Sequence, residues 1–235
     1  MIVLYGGPTP NARKVAIALE EMELPWRLHP IDILSGHQLT PEFVALNPNN
    51  KAPIIIDEDA EGGPLVLAES GAILWYLAEK TGRFIPEGPR ARAICHQWLM
   101  FQMSGVGPMF GQNAHFSFYA KDKHPYSIAR YANEVTRLLG VLDGRLSEVP
   151  YLAGEAYSVA DMATYPYTVR QVEARSAEFP ALARWSAEIG ARPAVRRGVE
   201  VGREHLRKET IEGGLAGLSD EQRSILFGAR QYRRT

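Results

Sequence analysis

The chain has 235 residues, of which 46% are hydrophobic and 23% charged, and a formal net charge of -1. That length suits one large or two small domains with a packed core, and the absence of a basic surplus argues against nucleic-acid binding. No apolar run approaches the roughly 20 residues of a membrane span, and the single cysteine, Cys95, excludes an intrachain disulfide and an all-thiolate metal site.

The N-terminus, Met1-Ile2-Val3-Leu4-Tyr5, lacks the basic region and long apolar core of a signal peptide. Ile2 to Tyr5 reads as a short buried strand, and Gly6-Gly7-Pro8 as a turn. Thr9 is a good helix cap and Pro10 suits the first helical position. With Val15, Ala18, Leu19 and Met22 at helical spacing, this predicts a helix over 11–22. Trp26 to Ile31 alternates as a second strand, and Pro41 to Leu46 reads as a short helix. The turn cluster Asn47-Pro48-Asn49-Asn50 leads into a β-branched strand ending at Asp57. Gly62-Gly63 turns a hairpin into Leu65-Val66-Leu67. A further helix opens at Glu69-Ser70, with Ile73, Leu74, Leu77 and Ala78 on one face. This order predicts a small mixed sheet with helices packed on it.

After a Gly/Pro-rich linker over 82–89 the pattern becomes helical, in runs over 91–103, 125–148, 158–175 and 180–201. Ser158-Val159-Ala160-Asp161 approximates a capping box. The charged tail beyond Gly202 carries one apolar patch, Ile225-Leu226-Phe227, and reads as an extension wrapped on the helical domain or partly mobile.

Three places carry candidate chemistry. Thr9-Pro10-Asn11 stands at a helix N-terminus, whose free N–H groups and positive dipole end stabilise an anion such as a thiolate. Thr9 can donate through its hydroxyl and Asn11 through its amide; from spacing alone, Thr9 reads first as a cap. Ala52-Pro53 stands at a strand entrance, where a trans proline is the default and a cis bond the exception. Glu69-Ser70 can grip an ammonium and a carboxylate on one ligand, or serve as another cap. Cys95 reads as a buried, inert thiol. His96, His115 and His124 lack metal-ligand spacing, Tyr5 reads as strand packing, and Phe116, Phe118 and Tyr119 as pocket, groove or core residues.

Taken together, Thr-Pro-Asn-x-x-Lys-Val from Thr9, Asn-Pro-Asn-Asn-Lys-x-Pro from Asn47 and Glu-Ser-Gly-Ala-Ile-Leu from Glu69 resemble the glutathione S-transferase superfamily. The run from Gln97 to Gln112 and the pair Tyr151-Leu152-Ala153-Gly154 and Ser158-Val159-Ala160-Asp161 are similar to its Nu-class branch of disulfide-bond oxidoreductases. The resemblance covers roughly 1–205. It implies an α/β thioredoxin-like N-terminal domain (1–82), an all-α C-terminal domain (90–205) and an extension over 206–235. It also implies a cytoplasmic, homodimeric enzyme with glutathione or glutathione disulfide as bound co-substrate, no metal, and a small disulfide or electrophile as partner. By the resemblance, Thr9 and Asn11 contact the glutathione sulfur, Gln38 and Lys51 the glycyl end, and Ala52 the cysteinyl backbone beside a cis Pro53. Glu69 and Ser70 clamp the γ-glutamyl group, and Arg130 reaches a glutathione across the dimer. Ala12 and Arg13 depart from the family's usual glycine and bulky apolar residue. Glutathione-dependent ether or carbon–halogen cleavage, or non-catalytic glutathione binding in a regulatory role, are the alternatives.

Overall fold

The structure, a computed structural model, describes residues 1–205 and 218–232. Four strands form the first domain's sheet: β1 (Ile2–Gly6), β2 (Trp26–Pro30), β3 (Ile54–Asp57) and β4 (Leu65–Ala68), in spatial order β2-β1-β3-β4. β1 and β2 run parallel and therefore need a crossover, which α1 (Pro10–Glu21) supplies. β3 is antiparallel to β1 and β4. Gly62 and Gly63, at φ 83° and 112°, turn the β3–β4 hairpin in a region that favours glycine. A short 3₁₀ turn (His37–Leu39), α2 (Pro41–Leu46) and α3 (Ser70–Thr81) complete the domain.

The second half is all helical: α4 (Pro89–Phe101), α5 (Gly107–Ala114), α6 (Pro125–Glu148), α7 (Val159–Ala174), α8 (Pro180–Ala191) and α9 (Pro193–Val199). Two features depart from the sequence expectation. The helix expected over 91–103 continues through a π-helical turn (Gln102–Val106) into α5, which ends in a second π turn (His115–Tyr119). Gly105, Gly107 and Pro108 read locally as helix breakers, but the wider turn carries the chain past them. The run expected over 180–201 is two helices. Pro193 follows Arg192, whose ψ of 128° is the extended conformation favoured before proline.

The core is continuous across the two domains. Leu4, Val15, Ile17, Leu19 and Leu74 pack with Cys95, Leu99, Leu138, Val159 and Trp185 in one buried cluster. α1 is buried on most of its surface because the sheet and α3 meet it on one side and α7 and α9 on the other. A Cβ on Gly198 of α9 would lie 2.7 Å from the Ile17 backbone, so α9 meets α1 backbone to backbone. The expected extension over 206–235 lies partly outside the described residues. Its described part forms α10 (Asp220–Phe227) and a 3₁₀ turn (Ala229–Tyr232). Ile225 is buried against Gly36, and Phe227 packs on His115 and Tyr119, so this segment touches both domains.

Candidate active site

Strand register gathers the candidate residues at one edge of the sheet. Tyr5 pairs with Ile54, Ile54 with Ala68, and Gly6 with Pro30. The segments carrying Thr9, Ala52-Pro53, Glu69-Ser70 and Gln38 therefore all adjoin the same end of the sheet. Thr9 caps α1, its Oγ1 accepting from Ala12 N at 3.4 Å with Pro10 in the first turn. A hydroxyl has two lone pairs and one hydrogen, so capping leaves the hydrogen free to donate. Capping by Thr9 is therefore compatible with donation to a ligand. Asn11 Oδ1 accepts from the Tyr167 hydroxyl of α7 at 3.0 Å. Burial pushes the Tyr167 phenol up to about 12, so it stays protonated and a donor at neutral pH. With Oδ1 held, the Asn11 amide nitrogen is the group left to donate.

The Asn47 side chain organises the neighbouring loop. Nδ2 donates to Lys51 O at 2.8 Å, and Oδ1 accepts from Asn49 N at 3.0 Å. The Ala52–Pro53 bond is cis, against the default that the sequence alone favours. Pro53 has no N–H for the ladder, and the strand expected from Lys51 starts at Ile54. Glu69 adopts φ 68°, ψ 110°, a conformation that costs a non-glycine residue on the order of 1 kcal/mol. Its side chain is exposed, with Asn49 Nδ2 3.5 Å from its Oε1. Ser70, buried at the start of α3, accepts from Lys14 Nζ at 3.4 Å.

Lys14 is 1% exposed. It donates to Gln102 Oε1 at 2.7 Å and lies 4.9 Å from the Tyr167 ring centroid. Burial pushes its ammonium down to about 7, against an opposing pull from Glu69. Asn11, Tyr167, Lys14 and Ser70 thus form one connected network spanning the two domains. Gln38 is buried; its Nε2 donates to Ile33 O at 3.1 Å, while its Oε1 has no partner among the described residues. Lys51 is exposed and donates to Gln231 Oε1 at 3.1 Å. Arg130, on α6, is exposed and pairs with Glu134 at 3.7 Å. Among the described residues it makes no hydrogen bond or ion pair with the first domain of its own chain.

Cys95 is fully buried, and burial pushes its thiol up. Tyr5 stacks on His29, ring centroids 4.3 Å apart, as a packing residue. Phe116 stacks on Tyr131 and Tyr119 on Phe227, whereas Phe118 is exposed. Sequence reasoning missed Tyr167 and the role of Lys14. Lys14 lies inside the quoted motif on a face shared with apolar residues, which was the available signal. Tyr167 is 156 positions from Asn11 and carried none.

Family models for the glutathione S-transferase N-terminal domain and C-terminal domain match residues 9–80 and 107–193. The chain belongs to the glutathione S-transferase family. Disulfide-bond oxidoreductase YfcG of Escherichia coli is 49% identical over 198 residues, covering 83% of this chain and 92% of that protein. Disulfide-bond oxidoreductase YghU of the same organism is 39% identical over 216 residues, 85% of this chain and 74% of that one. Among solved structures, a glutathione transferase family member from Pseudomonas fluorescens with two glutathione bound has a TM-score of 0.80 at 45% identity, covering 85% of this chain and 92% of that one. A glutathione transferase from Pseudomonas putida with one glutathione disulfide per subunit has a TM-score of 0.80 at 44% identity, covering 85% and 90%. Among the described residues, Gln38 Oε1 is left as an unpaired acceptor, while Asn11 Oδ1 is occupied by Tyr167. Among the described residues no group of three or more His, Cys, Asp and Glu side chains could hold a metal ion. No described helix is long and apolar enough to cross a membrane.

Proposed function

We propose that this protein is a Nu-class, glutathione-dependent disulfide-bond reductase, with minor transferase and peroxidase activity. One observation carries the reading. The β1–α1 loop presents a hydroxyl and an amide at a helix N-terminus and no cysteine, while the chain's only thiol, Cys95, is fully buried. The reactive sulfur is therefore the ligand's. Bound glutathione supplies a thiolate that attacks one disulfide sulfur and expels the other half as a thiolate, and a second glutathione repeats the exchange to leave glutathione disulfide and a second thiol.

Thr9 and Asn11 donate to the thiolate, and the α1 dipole adds to their stabilisation. Ala52, beside Pro53, holds the cysteinyl backbone. Glu69 takes the γ-glutamyl ammonium and Ser70 the carboxylate, the latter polarised by Lys14. Gln38 and Lys51 hold the glycyl end. The names of the two Escherichia coli relatives and the glutathione disulfide in the Pseudomonas putida structure support this assignment.

The reading divides the chain into a glutathione-binding domain over 1–82, a helical domain over 90–205 and an extension over 206–235. It makes the protein a cytoplasmic homodimer. Arg130, exposed and apart from its own first domain, is suited to reach the site of a second subunit, and the exposed Met100 and Tyr126 give α4 and α6 apolar surface for contact. A reducing compartment supplies the glutathione.

The test is steady-state reduction of a small disulfide coupled to glutathione reductase, beside conjugation of an aromatic halide. Strong disulfide turnover with weak conjugation is expected. The reverse would assign a transferase, and glutathione binding without turnover a regulatory role.

A further inference from the structure

Three arginines from three separate segments converge beside the Thr9–Asn11 loop. Arg13 is on α1, two residues past Asn11. Arg170 is on α7, one turn beyond Tyr167, which itself holds Asn11. Arg203 follows Gly202, whose added Cβ would lie 3.1 Å from Gly7 Cα and 3.4 Å from Pro8 Cδ. The backbone after α9 therefore runs against the β1–α1 loop.

Arg13 is half-buried, and its Nε is shielded from solvent with no hydrogen-bond partner among the described residues. Burial first, then the repulsion of Arg170 and Arg203, lowers its pKa, and Glu200 only partly offsets them. Glu200 is itself held by Arg203 at 2.7 Å. Arg13 keeps its proton under these conditions, so one carboxylate, Glu200, faces three guanidinium groups here. Arg170 also acts on Tyr119, on which Phe227 stacks.

We propose that Arg13, Arg170 and Arg203 form a cationic wall on the second-substrate side of the site that selects disulfides bearing a carboxylate or sulfonate near the sulfur. Planar guanidinium groups match such anions in fork geometry, and the buried Arg13 Nε gains the acceptor it lacks. The wall rests on the disulfide-reductase reading for its substrate, but charge selection in binding does not depend on turnover.

The test compares three disulfides of similar size: neutral hydroxyethyl disulfide, anionic dithiodipropionate and cationic cystamine. Thiolate attack in free solution favours the cationic compound, since like charges repel. The expected enzymatic kcat/KM, relative to the uncatalysed rate, runs the other way, with the anion ahead of the neutral compound by about tenfold, as one charge-assisted hydrogen bond gives. This preference should shrink as salt is raised. Arg170→Gln and Arg13→Gln should each lower the anion-to-neutral ratio several-fold, and Arg170→Lys should retain most of it. An unchanged ratio in both glutamine variants, or no anion preference in the unsubstituted protein, overturns the proposal. If none of the three disulfides turns over, the reductase reading fails. The wall is then tested by calorimetric titration of the same disulfides into protein saturated with S-methylglutathione. Tighter binding of the anion supports it and equal affinities overturn it.

Discussion

The Tyr167 hydroxyl, from the helical domain, donates to Asn11 Oδ1 at 3.0 Å and thereby occupies the oxygen of the Asn11 amide, leaving its nitrogen as the group that the proposed thiolate contact needs. An amide can present either its oxygen or its nitrogen, and only the nitrogen stabilises a thiolate. Tyr167→Phe keeps the ring beside Lys14 and removes only this restraint. It should lower kcat/KM for disulfide reduction about threefold to tenfold and raise the pKa of bound glutathione's thiol, read from thiolate absorbance against pH. Asn11→Ala should cost at least as much, with little change in stability. In that background, Tyr167→Phe should have little further effect. Full additivity would mean that Tyr167 acts elsewhere.

Lys14 makes stability depend on pH. Its ammonium titrates near the ordinary value of 10.5 when unfolded but at about 7 when buried in the folded protein. Between those values the unfolded chain holds the extra proton, so this group adds stability as pH rises from about 7. Lys14→Met should lack that rise. The stability difference between variant and parent, from urea denaturation at about pH 7 and about pH 9, should shift by about 1 kcal/mol or more in the parent's favour at the higher pH.

Asp161 holds the start of α7 and two neighbouring segments together. Its Oδ1 accepts from Leu152 N and Trp185 Nε1 at 2.9 and 2.8 Å, and its Oδ2 from Ser158 N and Oγ at 2.9 and 2.8 Å. All of this is buried. Asp161→Ala leaves several donors unsatisfied and should destabilise the protein by on the order of 3 kcal/mol, measured by denaturant midpoint. Because Tyr167 lies on the same helix, residual folded protein should also turn over disulfide more slowly.

Lys51 is engaged by Gln231 in the described part of the tail, at 3.1 Å. If Lys51 serves the glycyl carboxylate, the two compete. Lys51→Ala should weaken glutathione binding several-fold, whereas Gln231→Ala should tighten it by less than about threefold, the scale of an exposed contact. Calorimetric titration of glutathione measures both; weaker binding in Gln231→Ala would assign the tail a supporting role instead.

Local signals carried much of the fold. α2 and α6 occupy the bounds that their prolines and apolar spacing predict, and β1, β2 and β4 differ by one residue at an end. The misjudged stretches are those where neighbours overrule local propensity. The α4–α5 helix persists through Gly105, Gly107 and Pro108 because the π turn absorbs the breakers, whereas α8 ends at Ala191, before Arg192 and Pro193, where apolar periodicity alone predicts continuation.

By itself, the sequence determined the strand and helix order, the absence of a usable protein thiol and the motifs that resemble the family, because these depend on side-chain chemistry and short-range spacing. Only the tertiary structure decided that Tyr167 fixes Asn11, that Lys14 lies buried beneath Ser70 and that Arg13 lies within the repulsive field of Arg170 and Arg203. Those relationships join residues far apart in the chain. They exist because the helices after residue 88 pack against α1, and no local periodicity encodes that meeting.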